Sequence, residues 1–289
     1  MCRSFFAACL AGISMSAACA TELLVPAYFY PSFDPAQSQW DQMQAALSTG
    51  ARITAIMNVD NGPGTAINSD YVAAVQSFRA AGGRVLGYAY TCYGNNQCQP
   101  GLPATRTVNN VLADANRYAQ WYGLDGIFLD EMASQTAALP YYTALAQGLR
   151  SAHPGWQIVG NPGTAPDAAY LGVADTLVTF EDGGGSYAGY TPPTWAAQEP
   201  ANRQAHLLYN VSGAAAMQSA LAQARARNVG YVYITDDRYI PGDPSAPNPW
   251  DNLPSYWTQE AVASVPEPSM WSMFLAGLLG YAARARRRA

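Results

Sequence analysis

The sequence predicts an α/β fold built from eight repeated strand–helix units. Short apolar runs alternate with segments rich in helix-forming residues, which is typical of parallel strands joined by helices. Several runs are almost continuously apolar, as expected for strands that are covered on both faces. Because eight units fit within about 240 residues, we predict a single (β/α)8 TIM barrel.

The elements follow in chain order from these patterns. Strands are predicted at Leu23–Tyr30, Ile53–Asn58, Val85–Tyr90, Gly126–Glu131, Gln157–Asn161, Thr176–Glu181, His206–Asn210 and Tyr231–Thr235. Helices are predicted at Gln37–Leu47, Ser69–Ala81, Thr107–Trp121, Tyr141–Ala152 and Ala214–Arg227. Residues 182–202 are rich in Gly, Tyr and Pro, so we predict a loop at the active-site end there rather than a regular helix.

A doubly wound open sheet is the alternative arrangement of the same elements. Its usual Gly-x-Gly-x-x-Gly phosphate loop would follow the first strand, where this chain has Tyr30-Pro31-Ser32 instead. The absence of that loop favours the barrel.

The predicted barrel covers residues 21–262 and leaves a separate segment at each terminus. Residues 1–20 combine Arg3, an apolar stretch and Ala18-Cys19-Ala20, which is the pattern of a secretory signal peptide. A buried N-terminal helix is the alternative interpretation of this segment. The signal peptide predicts an exported protein.

Residues 265–289 contain Pro-Glu-Pro, then the apolar stretch 270–283, then a cluster of arginines. This order resembles the PEP-CTERM sorting signal, which implies recognition and cleavage by an exosortase. The resemblance implies transient anchoring of 270–283 in the inner membrane, followed by release or retention at the cell surface or in the extracellular matrix. An ordinary membrane anchor is the alternative.

The charge distribution argues against nucleic acid as a partner. All 15 basic residues are Arg, and five of them lie in the two terminal segments. Residues 21–267 therefore carry ten Arg against all twenty carboxylates. This acidic region would repel the phosphates of nucleic acid and tolerate or attract a polycation. Solubility of a secreted domain is the alternative explanation of the same charge.

The cysteines and histidines argue against a metal centre. Cys92 and Cys98 lie in a Gly- and Asn-rich loop, and in an oxidising compartment they predict a loop-closing disulfide. His153 and His206 are isolated and form no metal-binding motif. No Gly-x-Ser-x-Gly motif is present, which disfavours a serine hydrolase. We expect neither a metal nor another cofactor.

Polar and aromatic residues follow every predicted strand, and barrel active sites form at these ends. Glycoside hydrolysis needs two carboxyl groups on either side of the cleaved bond. Strands four and six are not neighbours, so Asp130 and Glu181 can face each other across the mouth. Capping of the following helices is the alternative for any strand-end acid, and we prefer it for Asp236 and Asp237.

A spaced set of motifs carries a family resemblance. The motifs are Val25-Pro26-Ala27-Tyr28-Phe29-Tyr30-Pro31, Asn58 with Asn61-Gly62-Pro63-Gly64, Gly87-Tyr88-Ala89-Tyr90-Thr91 with Tyr93-Gly94, Asp125-Gly126-Ile127-Phe128-Leu129-Asp130-Glu131, Asn161-Pro162-Gly163 and Phe180-Glu181. From Leu23 to Asp237 the chain resembles the spherulation-specific family 4 (spherulin-4) proteins. The resemblance implies a barrel glycoside hydrolase of galactosaminogalactan or related α-1,4-linked galactosamine polymers. The Cys92–Cys98 loop departs from the family pattern and could reshape one subsite.

The resemblance also implies roles for individual residues. Asp130 would be the nucleophile, Glu181 the general acid/base and Glu131 a supporting carboxylate. Apart from the resemblance, the rings, amides and carboxylates that follow the strands predict sugar contacts for Tyr28, Tyr30, Asn58, Asn61, Tyr90, Tyr93, Asn161, Tyr209 and Asp236. The functional prediction is therefore a secreted glycosidase of an extracellular polysaccharide. A non-catalytic carbohydrate-binding or matrix-associated protein on the same barrel is the alternative, since fold does not fix activity.

Overall fold

Eight parallel strands hydrogen-bond in chain order, and pairing of the last strand with the first closes them into a barrel. The computed structural model describes residues 21–265 except 33, 35–37, 99–100, 104, 241, 244 and 246. The strands are β1 (Glu22–Ala27), β2 (Ile53–Met57), β3 (Arg84–Tyr90), β4 (Gly126–Asp130), β5 (Gln157–Gly160), β6 (Thr176–Gly183), β7 (Gln204–Tyr209) and β8 (Tyr231–Ile234). The predicted single (β/α)8 TIM barrel is confirmed.

The helices cover the outside of the barrel. They are α1 (Gln39–Leu47), α2 (Ser69–Ala80), α3 (Val108–Tyr122), α4 (Leu139–Ala152), α5 (Gly184–Tyr187), α6 (Ala214–Ala226) and α7 (Trp257–Ser264). The side chains of Ser38, Asn68 and Thr107 accept hydrogen bonds from the first turns of α1, α2 and α3, which fixes where these helices begin. Gly123 ends α3 in the left-handed conformation that glycine adopts without a steric penalty.

Outer helices pack directly on the strands that lead to the mouth. Tyr118 of α3 is fully buried, and its hydroxyl donates to the carbonyl oxygens of Met57 (3.3 Å) and Tyr88 (2.9 Å). Gly87 of β3 makes room for this ring, because a Cβ atom there would lie 2.5 Å from the Tyr118 ring. The glycine in an otherwise apolar strand thus reflects close helix–strand packing.

Two connections differ from the regular pattern. A 3-10 helix at Ala168–Gly172 replaces an α-helix after β5. The predicted loop 182–202 begins with the end of β6, and then contains α5 and 3-10 turns at Thr194–Ala197 and Ala201–Arg203. No long helix forms across this segment, because its glycines and prolines interrupt helical hydrogen bonding.

The last helix, α7, was not predicted from the sequence. It ends at Ser264, two residues beyond the predicted domain end at 262. Its buried face contains Glu260, which is fully buried and accepts a hydrogen bond from the backbone N–H of Ile234 (2.9 Å). A carboxylate on the inner face obscures the apolar periodicity by which such a short helix would be recognised.

The predictions for the two termini fall outside the described residues. These are the signal peptide at 1–20 and residues 266–289 of the sorting signal, including the apolar stretch 270–283. Among the residues that the structure describes, no helix is both long enough and apolar enough to cross a membrane.

Candidate active site

The two acids paired from the sequence lie at the C-terminal mouth of the barrel and share one hydrogen-bond donor. Asn161 follows β5, between the strands that carry Asp130 and Glu181. Its side-chain Nδ2 donates to Oδ1 of Asp130 (2.8 Å) and to Oε2 of Glu181 (2.7 Å). Because one nitrogen contacts both, these two oxygens are at most about 5.5 Å apart, a separation compatible with the ~5–5.5 Å of retaining glycosidases.

Asp130 is the last residue of β4 and is held on both oxygens. The hydroxyl of Tyr88 on the neighbouring strand donates to Oδ2 (2.9 Å), while Asn161 occupies Oδ1. Burial raises the pKa of Asp130, and the hydrogen bonds from Tyr88 and Asn161 reduce this rise. The carboxyl group is therefore fixed in orientation at the mouth.

Glu181 lies on β6, and its carboxyl group has a strongly raised pKa. Burial, followed by the charge of Asp130, raises the pKa of Glu181 to about 7. Hydrogen bonds from Asn161 and the Trp250 side chain oppose this rise. Burial and the charge of a neighbouring carboxylate are the two influences that raise the pKa of an acid in a site of this kind.

Glu131 lies beside Asp130 but outside the regular strand. Its φ angle of 49° shows that the strand has ended, so alternation no longer directs the two side chains to opposite faces. Burial, followed by repulsion from Asp130, raises the pKa of Glu131 to about 7. Its Oε2 is buried without a hydrogen-bond partner among the described residues. The predicted supporting carboxylate is thus close to the pair.

Tyr28 and Tyr93 are the predicted aromatic contacts that lie nearest to the acids. Tyr28 packs edge-on against Tyr88, with ring centroids 5.4 Å apart. Burial, followed by the charge of Asp130, raises the pKa of Tyr28 well above its usual value. Tyr93 is 37% exposed, and burial followed by the charge of Glu131 raises its pKa. Both hydroxyls therefore lie within the field of the carboxylates.

Tyr30, Asn58 and Asn61 lie at the mouth near β1 and β2 and bond mainly to their own loops. Tyr30 is 54% exposed, and its hydroxyl donates to the carboxylate of Asp70. Asn58 Oδ1 accepts from the backbone N–H of Gly62 (3.1 Å), and Asn61 holds a left-handed φ of 49° in the same turn. The structure does not bring these predicted sugar contacts together with the acid pair.

Tyr90 and Tyr209 expose too little surface for a sugar to stack on their rings. Tyr90 is 4% exposed, and the Arg106 guanidinium covers its ring at 4.1 Å from the centroid. Tyr209 is 7% exposed, and its hydroxyl donates to Oδ1 of Asp182 (3.0 Å). Both side chains are therefore buried packing residues of the barrel rather than exposed surfaces for a sugar.

Asp236 is bonded to its own loop. Its Oδ1 accepts from the backbone N–H of Ser255 (2.9 Å), and its Oδ2 accepts from the Ser255 hydroxyl. The contact is structural, but it is not the helix capping predicted for Asp236 and Asp237, because no side chain caps the first turn of α7. The prediction of Asp236 as a sugar contact gains no support from its position.

Cys92 and Cys98 are bonded in a disulfide that closes the loop after β3. The loop is attached to the end of β4, because the backbone N–H of Tyr93 donates to the carbonyl oxygen of Glu131 (2.7 Å). The hydroxyl of Thr91 donates to the same oxygen (2.9 Å). In the described part of the chain, no group of His, Cys, Asp and Glu side chains has an arrangement that could hold a metal ion.

Two residues in the site were given no role from the sequence. Tyr88 appears in the sequence analysis only within a family motif, although the residue pair Tyr90–Asp130 in the β3–β4 register explains its proximity to Asp130. Trp250 lies 69 positions beyond Glu181 in a Pro- and Asn-rich segment, where no local pattern links it to the site. The strand register is enough to place Tyr88 near Asp130, whereas only the folded structure shows that the Trp250 side chain hydrogen-bonds to Glu181.

A (β/α)8 barrel with two close carboxyl groups at its C-terminal mouth is the architecture of a glycoside hydrolase-like protein. The model of the spherulation-specific family 4 matches residues 22–264, and the chain belongs to that family. Spherulin-4 of Physarum polycephalum is 32% identical over 252 residues, which cover 84% of this chain and 69% of the relative.

The barrel is also similar to a solved structure. Aspergillus clavatus Sph3, crystallised in complex with GalNAc, superposes with a TM-score of 0.68 at 21% identity, covering 85% of this chain and 98% of Sph3. At this identity the likeness establishes the fold. The PEP-CTERM protein-sorting motif matches residues 264–288, which supports export of the protein with a C-terminal sorting signal.

Proposed function

We propose that this protein is an exported glycoside hydrolase that cleaves a polysaccharide containing α-1,4-linked galactosamine or N-acetylgalactosamine. Asp130 is the nucleophile, Glu181 is the general acid/base and Glu131 is a supporting carboxylate. The observation that supports the proposal is the hydrogen bonding of Asn161 to both acids, which keeps one oxygen of each at most about 5.5 Å apart, a distance compatible with a double displacement.

In the first step, a carboxylate oxygen of Asp130 attacks the anomeric carbon as the glycosidic C–O bond breaks. The leaving oxygen takes the proton of Glu181, whose raised pKa of about 7 keeps that proton available. In the second step, Glu181 removes a proton from water, and the resulting hydroxyl attacks the anomeric carbon. The bond to Asp130 breaks, which restores both carboxyl groups and retains the anomeric configuration.

Glu131 contributes charge beside the pair. The residue is 6% exposed, and although the Cys92 backbone hydrogen-bonds to its carboxyl group, Oε2 has no partner among the described residues. In its ionised form it would favour the positive charge that develops on the sugar ring in the transition state. The charge of Asp130 contributes to the raised pKa of both Glu131 and Glu181, so ionisation of Asp130 favours the protonated form of each.

The substrate class rests on chemistry and on the family. Three carboxyl groups at the mouth favour a polymer with cationic units over an anionic one. The acidic charge of residues 21–267 likewise disfavours nucleic acid as a partner. GalNAc, with which Sph3 was crystallised, is the neutral counterpart of cationic galactosamine.

The location of this activity follows from the two terminal segments. Residues 1–20 direct export, and an exosortase recognises the C-terminal tail after residues 270–283 have anchored the chain transiently in the inner membrane. The processed protein is then secreted or stays at the cell surface or in the extracellular matrix, where its polymer substrate lies. No cofactor takes part.

The test is incubation of the purified protein with α-1,4-linked galactosamine polymers of defined acetylation, followed by chromatography of released oligosaccharides. Wild type should release them, whereas Asp130→Asn and Glu181→Gln should not. Asp60→Asn is a matched control, since Asp60 is an exposed acid after β2. Binding of the polymer without release by wild type would contradict the proposal and favour the non-catalytic carbohydrate-binding alternative.

A further inference from the structure

A cleft lies at the mouth, between the loops that follow β3 and β4. One wall is the disulfide loop, residues 91–98, and the other is the β4–α4 loop, residues 131–138. The cleft has a volume of 340 Å³. Small-molecule sites measure about 300–1,000 Å³, so the space is sufficient for a single sugar unit.

The lining of this cleft is polar and aromatic but carries no charged side chain. Asn95, Gln97 and Gln135 contribute amide groups, and Ser134 contributes a hydroxyl. Tyr93 adds a partly exposed ring. Amides and hydroxyls bind sugar hydroxyls, and an aromatic ring packs against a pyranose face. A cationic amino sugar would find no carboxylate in this lining to replace its lost hydration.

Tyr93 connects the cleft to the acid pair. Its backbone N–H contacts the Glu131 carbonyl (2.7 Å), so the residue is attached directly to the end of the strand that carries Asp130. The Tyr93 side chain, which lines the cleft, also interacts electrostatically with Glu131, Asp130 and Glu181. We therefore expect the neighbouring unit of a polymer bound at the acid pair to lie near Tyr93.

The backbone of the disulfide loop is held in a strained conformation. Cys92 and Tyr93 have φ angles of 48° and 55°, a left-handed region that bulky residues rarely enter. Such conformations persist where the surroundings enforce them, and they cluster at functional sites. Here the Cys92–Cys98 disulfide closes the loop, and Thr91 bonds it to the end of β4.

We propose that this cleft is a subsite for an uncharged pyranose unit of the polymer, adjacent to the unit that is cleaved, and that the disulfide maintains its shape. The inference rests on the proposed function and adds a specificity to it. The acids at the centre accept cationic or neutral units, whereas the neighbouring position selects an N-acetylated unit or a neutral hexose.

The test compares oligosaccharide affinities in an Asp130→Asn background, in which cleavage is blocked. Ala137 is exposed and lines the cleft, so Ala137→Trp fills it with a large side chain. We expect this change to weaken the binding of an α-1,4-linked N-acetylgalactosamine hexamer about tenfold, as measured by calorimetry. Ala222→Trp, at an exposed position of α6, is the matched control and should leave the affinity unchanged.

The chemistry of the subsite is tested with the fully deacetylated hexamer. Its affinity should be insensitive to Ala137→Trp, because a cationic unit gains nothing from this cleft. An equal loss for both hexamers would overturn the selectivity. Gln135→Ala is a second variant that removes a polar group without adding bulk, and it should weaken only the acetylated hexamer.

The role of the disulfide is tested by the double variant Cys92→Ser/Cys98→Ser. Its affinity for the acetylated hexamer should fall as in Ala137→Trp, and an unchanged affinity would overturn the structural role of the disulfide. Hydrolysis of the hexamer by wild type is measured in parallel. If wild type cleaves it but Ala137→Trp changes neither affinity nor product lengths, the subsite is wrong and the proposed function stands. If wild type neither cleaves nor binds it, the proposed function fails.

Discussion

The two halves of the barrel mouth use similar polar residues in different ways. At the ends of β3–β6, Asp130 and Glu181 share one donor and have raised pKa values. At the ends of β8, β1 and β2, Asp236 and Asn58 bond to the backbone of their own loops. Strand-end chemistry alone therefore does not define a site in a barrel. What distinguishes the first half is that its acids face each other.

The largest effect on kcat is expected for a substitution of Asp130, in the half of the mouth that contains the acid pair. We expect Asp130→Asn to lower kcat by more than about 10⁴-fold, because the amide cannot form the bond to the anomeric carbon. The measurement is release of oligosaccharides from the acetylated polymer under saturating conditions. A residual kcat within tenfold of wild type would show that Asp130 is not the nucleophile.

The second prediction concerns the pH profile of the proposed acid. Catalysis needs protonated Glu181, so kcat should decrease as the pH rises above the Glu181 pKa of about 7. Glu181→Gln should lower kcat about 10²–10⁴-fold and abolish this alkaline decrease. Glu131→Gln is the matched comparison, because Glu131 also has a pKa near 7. If the decrease disappears in Glu131→Gln and persists in Glu181→Gln, the two roles must be exchanged.

Substitution of Asn161 should lower kcat less, and it should also shift the pH dependence of kcat. Asn161→Ala removes the donor shared by both acids, and we expect kcat to fall by about 10–100-fold. The hydrogen bond from Asn161 lowers the pKa of Glu181, so its loss should move the alkaline decrease to higher pH. A lower kcat with an unshifted profile would indicate a merely structural role.

The disulfide should affect stability more than chemistry. Cys92→Ser/Cys98→Ser opens a loop with a sequence separation of six, which should reduce the free energy of unfolding by roughly 2 kcal/mol. Denaturant unfolding of oxidised wild type and of the variant measures the difference. Equal midpoints and slopes would show that other contacts already fix the loop.

The smallest expected effect lies in the other half of the mouth. Asp236→Ala removes the acceptor for the backbone and hydroxyl of Ser255 and should cost about 1–2 kcal/mol of stability. Its kcat should stay within about threefold of wild type, measured with the same polymer. A loss comparable to that of Asn161→Ala would extend the site to this half.

The sequence predicted the barrel well, because its strands are apolar runs bounded by polar residues. It did not predict α7, whose inner face carries the buried Glu260. At the mouth, strand position brought out Asp130, Asn161 and Glu181 but could not show which polar groups their own loops would consume. That distinction depends on contacts that no local pattern predicts, such as the one between Asp236 and Ser255, which lie 19 positions apart in one loop. The hydrogen bond from the Trp250 side chain to Glu181 is another such contact.

The contact of Tyr118 with β3 connects the outer helix α3 to Asp130, the proposed nucleophile. The Tyr118 hydroxyl fixes the carbonyl of Tyr88, and the Tyr88 hydroxyl in turn orients Asp130. A Cβ atom at Gly87 would lie 2.5 Å from the Tyr118 ring, so the ring or the strand would have to shift. We therefore expect substitutions at Gly87 or Tyr118 to disturb the orientation of Asp130 from outside the mouth.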